Sequence, residues 1–194
     1  MRCATLSRAT QETAITISLN LDGAGQVDVH TGVGFFDHML SAFGRHGLFD
    51  LKVQCEGDLE VDAHHTVEDV GIVLGDCFAA ALGSKESVTR FAQAMVPMDE
   101  ALVLSVVDIS GRGELFWDVP IQVPQVGNFD TQLGHEFFAG LARNSGITLH
   151  MREIAGENAH HILEACFKAA GRALRFACEL DSRVSGIPST KGSL

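Results

Sequence analysis

Apolar and polar residues alternate in two stretches of the chain. In Glu12-Thr-Ala-Ile-Thr-Ile-Ser-Leu-Asn-Leu-Asp-Gly23 the apolar residues recur at every second position. Glu100-Ala-Leu-Val-Leu-Ser-Val-Val-Asp-Ile-Ser-Gly111 does much the same over the same length. A period of two predicts half-buried strands. Each is expected to turn at its glycine into a partner strand, at residues 26–30 and 114–119. A short helix follows in each half. The first, 35–43, is closed by Gly44 or Gly47; the second, 131–142, has Asp130 as its N-cap. Further strands are predicted at 49–55 and 147–152. Each half closes with a longer helix. One spans 63–82, capped by Asp62 and stopped by Gly83; the other spans 159–180, capped by Asn158. Residues 88–98 predict an extra strand opening the second half.

The same order of elements twice over reads as an internal duplication. The halves would span 1–86 and 87–184, with a polar tail at 185–194. The expected class is α+β: duplicated half-domains, each a mostly antiparallel sheet covered on one face by helices. The link Gly83-Ser-Lys-Glu86 is short, so the halves should pack as one body.

Chemistry enters at the start of each closing helix, where His64-His65-x-x-Glu68 repeats as His160-His161-x-x-Glu164. Residues three and four apart share a helix face, so each glutamate neighbours both of its histidines. Adjacent histidines, however, lie about 100° apart around the axis. One ion would not readily take both, so the pattern suits two metals, each taking one imidazole from a pair. A single copy would read equally well as surface histidines beside a helix-terminal acid. Two copies at equivalent places are much harder to obtain by chance. Imidazole plus carboxylate, without thiolate, favours Mn²⁺, Fe²⁺, Zn²⁺ or Co²⁺ over Ca²⁺ or Mg²⁺. His38 lies on the short helix of the first half, and aligning His38-Met-Leu with Glu136-Phe-Phe puts a further candidate ligand in each half.

Charge and composition narrow the partners. The 194 residues carry 46% hydrophobic and 20% charged residues, an ordinary globular balance, and a net charge of −11. An acidic chain with only 14 basic residues lacks the footprint for nucleic acid or an anionic membrane. No apolar run approaches membrane-spanning length. The five cysteines are scattered without a C-x-x-C spacing, and the start of the chain has no apolar secretory core. Reduced, core-filling thiols and a cytoplasmic location are expected.

The long motifs carry a resemblance. Asp62-Ala-His-His-Thr-Val-Glu-Asp-Val-Gly71, Gly156-Glu-Asn-Ala-His-His-Ile-Leu-Glu-Ala-Cys-Phe-Lys168 and Pro188-Ser-Thr-Lys-Gly192 resemble signatures of the imidazoleglycerol-phosphate dehydratases. So do Arg8-Ala-Thr-Gln-Glu-Thr13, Gly32-Val-Gly-Phe-Phe-Asp-His-Met-Leu40 and Pro97-Met-Asp-Glu-Ala101. The resemblance covers nearly the whole chain. It implies a duplicated unit of the ribosomal protein S5 domain 2-like type, a homo-oligomer of 24 subunits built from trimers, and metal sites between subunits. It implies a hydro-lyase of L-histidine biosynthesis with two Mn²⁺ ions per active site, held by His38, His64, His65, Glu68, Glu136, His160, His161 and Glu164. Many members carry histidine at position 136, in a Glu-His-Phe-Phe run. With His135-Glu136 here, either Glu136 ligates, or His135 does with a local shift, or one metal has a different shell.

For the substrate the resemblance nominates Glu12, Arg90, Arg112, Lys168, Ser189, Thr190, Lys191 and Gly192, with Glu12 and Glu68 as catalytic groups. Arg112 lies in a Ser-Gly-Arg-Gly turn where backbone can approach an anion, and Lys168 stands one helical turn beyond Glu164. Asp99 and Glu100 mirror Glu12 in the repeat, with no role separable from a structural one. Two other classes make different predictions. A dinuclear metallohydrolase would release phosphate from generic esters. A metal-stapled shell would assemble but show no substrate-dependent spectral change with Co²⁺ or Mn²⁺.

Overall fold

The computed structural model describes residues 2–194. Its elements run β1 (Cys3–Ala9), β2 (Thr13–Asn20), β3 (Val27–His30), α1 (Gly34–Gly47), β4 (Asp50–Gly57) and α2 (His64–Leu82). They continue β5 (Phe91–Met98), β6 (Ala101–Asp108), β7 (Glu114–Asp118), β8 (Gln125–Val126), β9 (Phe129–Asp130), α3 (Leu133–Ser145), β10 (Thr148–Ala155) and α4 (Ala159–Cys178). Two four-stranded sheets form, ordered β1-β2-β4-β3 and β5-β6-β10-β7. In each, two antiparallel pairings are followed by one parallel pairing, β3 with β4 and β7 with β10. The expected class, a duplicated and mostly antiparallel α+β unit, is what forms.

Pairing differs from expectation in one respect. The strands at 26–30 and 114–119 do not pair with the strands that precede them. They lie beside β4 and β10, at the far edge of each sheet. The true partners of β2 and β6 are β1 and β5. Segment 88–98 is therefore no extra strand but the counterpart of β1. Strand β1 has no apolar face strong enough to reveal it; its residues alternate between exposed and half-buried.

Helices α1 and α2 lie on the first sheet, α3 and α4 on the second. The halves meet helix to helix, α1 against α4 and α2 against α3. The layers are thus sheet, helices, helices, sheet. Phe36, Phe137, Phe138 and Phe167 are fully buried between the halves. Their rings pack tightly, Phe137 against Phe167 at 5.0 Å and Phe138 against Phe167 at 4.8 Å. Offset and edge contacts of this kind add to the burial of aromatic area. Glycines let the backbones approach: a Cβ on Gly171 would collide with the Phe43 carbonyl, and one on Gly75 would stand 2.7 Å from the Leu141 carbonyl. No helix of the described residues is long and apolar enough to cross a membrane.

Candidate metal centre

Helix α4 begins under a true side-chain cap. Asn158 accepts from the amides of His160 and His161, which fixes the first turn. At α2 the N-cap position falls on Ala63, and Asp62, the counterpart of Asn158, accepts from the His64 amide at 2.7 Å. Helix α3 starts at Leu133 rather than 131, with Asp130 holding the Gln132 amide. The segment before it forms the small β8-β9 hairpin instead.

Where α1 crosses α4, three expected ligands come together. The Nε2 atoms of His38 and His160 each lie 3.2 Å from the same Glu164 oxygen, Oε2. One donor atom from each residue falls within 4.8 Å of the others, the one such group among the described residues. Phe35 stands edge-on to the His160 ring at 5.1 Å and limits its rotation. Glu164 is buried, with Lys168 Nζ 2.7 Å from its other oxygen. Burial alone would raise its pKa. Hydrogen bonds from Lys168 and His38 outweigh that and hold the carboxyl at about 2.

At the α2–α3 contact the arrangement is looser. His64 Nε2 lies 3.6 Å from Glu68 Oε2, and Glu136 on α3 accepts from or shares a proton with His135 Nδ1 at 2.9 Å. Packing settles the register between the halves. His64 matches His160 and Gly75 matches Gly171, 96 positions on. Gly75 abuts the Leu141 carbonyl as Gly171 abuts that of Phe43, so α1 matches α3 98 positions on. That step carries His38 to Glu136, not to His135.

The second histidine of each pair turns away. The rings of His64 and His65 are 6.1 Å apart at 89°, those of His160 and His161 6.2 Å apart at 76°. His65 Nδ1 meets Asp58 at 3.0 Å, and its Nε2 faces Glu12 at 3.8 Å. His161 Nδ1 meets Glu100 at 2.7 Å, and its Nε2 faces Asp99 at 3.8 Å. The hydrogen bonds to Asp58 and Glu100 raise both imidazole pKa values. Glu100, holding His161 and the Asn158 amide, is lowered to about 2. Asp58 carried no signal in the sequence: it lies in a loop, seven residues before its partner.

A family model described as imidazoleglycerol-phosphate dehydratase matches residues 31–174. The chain belongs to this family. The dehydratase of Caldanaerobacter subterraneus subsp. tengcongensis is 59% identical over 194 residues, all of both chains. That of Acidiphilium cryptum is 58% identical over all of this chain and 99% of its own. The crystal structure of the Staphylococcus aureus dehydratase matches with a TM-score of 0.84 at 37% identity, covering 92% of this chain and 99% of that one. A dehydratase from Pyrococcus furiosus, in complex with (S)-C348, matches with a TM-score of 0.84 at 39% identity, covering 97% and 100%. Membership makes the chain a hydro-lyase.

The nominated cations of this dehydratase-family chain divide into two places. Arg90 pairs with Asp108 at 2.8 Å and donates to the Pro188 carbonyl at 2.6 Å, drawing the tail onto β5. Arg112 is exposed nearby, 3.8 Å from Asp108. Ser189 Oγ accepts from the Lys191 amide, the Gly192 amide bonds the Ser189 carbonyl, and Thr190 lies between them. The end of the tail at Leu194 packs against Gly111. Lys168 is not with them; it lies on α4 against Glu164 and Met98. The Arg90 amide bonds Ala177, 13 residues beyond Glu164 on the same helix. At the α-helical rise that is about 20 Å along the axis.

Proposed function

We propose that this chain converts D-erythro-imidazole-glycerol phosphate to imidazole-acetol phosphate in L-histidine biosynthesis, using two Mn²⁺ ions per site. The observation that carries the reading is the His38-His160-Glu164 cluster, two imidazole nitrogens converging on one buried carboxylate oxygen. This donor set suits a borderline divalent ion, and the ionised Glu164 supplies charge to hold it. His64, Glu68 and Glu136 supply the matching set at the other helix crossing. Ions held by these residues would supply Lewis acidity that favours the imidazolate form of the substrate ring and so the departure of the neighbouring hydroxyl.

The chain's own residues do the rest. Glu12, 3.8 Å from Nε2 of His65, takes the side-chain proton whose loss gives the enol that becomes the ketone. Glu68 serves as ligand and as the second acid–base group. Arg90, Arg112, Lys168 and the Ser189-Thr190-Lys191-Gly192 tail present cations, a hydroxyl and amides to the phosphate.

Two features support a homo-oligomer, with 24 subunits built from trimers as the family resemblance implies. The tail cations and the metal cluster of one chain are much farther apart than a three-carbon chain between ring and phosphate can bridge. Sites completed by neighbouring copies remove that distance, and the partly exposed His65 and His161 are available to such neighbours. The outer face of the second sheet is also apolar, with Phe91, Met95, Phe116 and Ile154 about half exposed. Apolar patches of this kind mark contact surfaces. Four buried thiols are compatible with a cytoplasmic enzyme.

The test is a coupled assay for the ketone from imidazoleglycerol phosphate, with and without Mn²⁺. Product should form only with the metal, and Glu12→Gln should cut turnover while Mn²⁺ content stays unchanged. Phosphate release without ketone would favour a hydrolase instead.

A further inference from the structure

The second histidine of each pair has a carboxylate behind it, and the two carboxylates come from unrelated places in the repeat. His65 is backed by Asp58, from the loop after β4, with both oxygens within 3.2 Å of Nδ1. His161 is backed by Glu100, from the β5–β6 turn, at 2.7 Å. By repeat position Glu100 corresponds to Glu12, yet Glu12 stands on the Nε2 side of its histidine and Glu100 on the Nδ1 side. The two halves have thus reached one arrangement by different residues.

Both carboxylates are themselves anchored. The Asp58 amide donates to the Glu12 carbonyl at 3.0 Å, which ties the loop to the start of β2. Glu100 accepts from the amides of Asn158 at 2.8 Å and Glu157 at 3.3 Å. Its neighbour Asp99 has a φ of 48°, a left-handed backbone that aspartate readily adopts in tight turns. A carboxylate on Nδ1 requires the proton on that nitrogen. It leaves the Nε2 lone pair free and fixes the ring plane.

We propose that Asp58 and Glu100 are positioning residues, which lock His65 and His161 as Nδ1–H tautomers so that each presents Nε2 to a divalent cation. This rests on the metal reading above and adds to it two residues outside the ligand set. Carboxylate–histidine–metal relays of this type commonly set metal affinity by about 10- to 100-fold.

The test is calorimetric titration of Mn²⁺ into the metal-free, full-length protein, arranged as a double-mutant cycle. Asp58→Ala should weaken Mn²⁺ binding roughly 10- to 100-fold, and Asp58→Asn, whose carbonyl can still accept from Nδ1–H, should restore much of it. In a His65→Ala background Asp58→Ala should cause no further loss, whereas in a His161→Ala background its loss should persist. Glu100→Ala and Glu100→Gln should behave the same way toward His161. Because Glu100 also holds the α4 start, the Asp58 cycle decides the matter if Glu100→Ala fails to fold. Unchanged affinity in Asp58→Ala, or an equal loss with and without His65, overturns the proposal. No Mn²⁺ binding by the wild-type chain overturns the metal reading, and this proposal with it.

Discussion

Truncating Phe167 to alanine removes the ring at the middle of the contact between the halves. Phe167 is fully buried on α4, three residues after Glu164 and seven after His160. Its ring lies 4.8 Å from Phe138, 5.0 Å from Phe137 and 6.4 Å from Phe36, so it touches α3 and α1 at once. Deleting a buried phenyl costs about 3–5 kcal/mol, lost transfer energy plus the cavity left behind. The upper end is expected here, because aromatic neighbours on three sides cannot easily collapse into the space. For a chain of this length each kcal/mol lowers Tm by about 2–4 °C, so the fall should be roughly 6–20 °C. The measurement is thermal unfolding by calorimetry at fixed protein concentration without metal, since a bound ion would add its own stabilisation. Mn²⁺ affinity should fall too, because His38 reaches Glu164 only through the α1–α4 packing that this ring supports. A loss below about 1 kcal/mol, or full destabilisation with unchanged Mn²⁺ affinity, would show that the ring does not set the geometry of the His38-His160-Glu164 cluster.

Two further outcomes follow from the site. The raised pKa values of His65 and His161 keep these rings protonated to a pH above their ordinary 6.5. In the metal-free chain that stabilisation is complete below 6.5 and is lost as pH rises through the folded values. Mn²⁺ needs the neutral ring, so its affinity should strengthen with pH beyond 6.5, with protons released on binding; a titration flat from about pH 6 to about pH 8 would contradict this. Arg90→Ala removes both the Asp108 ion pair and the hold on Pro188. KM for the phosphorylated substrate should rise roughly 10- to 100-fold with Mn²⁺ content unchanged, and an unaltered KM would remove Arg90 and the tail from phosphate binding.

Much of the fold could be read from the sequence because its signals are local. Alternation marked β2 and β6, Gly83 and an Asn cap bounded the long helices, and repetition linked the halves. What stayed hidden depends on pairing across distance. Strand β1 faces solvent at one edge with small polar residues such as Thr5 and Ser7, so periodicity had little to detect. The parallel partner of β4 lies before α1 in the chain, and proximity in sequence favoured the wrong neighbour for β3.

The site divides along the same line. Histidine pairs diverge by helix geometry alone, so the separation of His64 from His65 needed no tertiary information. Whether position 135 or 136 corresponds to His38 did need it, because only the contacts of Gly75 and Gly171 fix how far α3 is offset from α1. Once fixed, that offset has a chemical consequence. One helix crossing carries His38, His160 and Glu164, while the other carries His64, Glu68 and Glu136, an imidazole exchanged for a carboxylate. Duplication has kept the backbone frame, held by glycine contacts that tolerate no side chain. The side chains mounted on that frame are free to differ, and under the proposed function a ligand position constrains direction and reach more than residue type. The same holds for the carboxylates behind His65 and His161, which meet the same nitrogen from different loops.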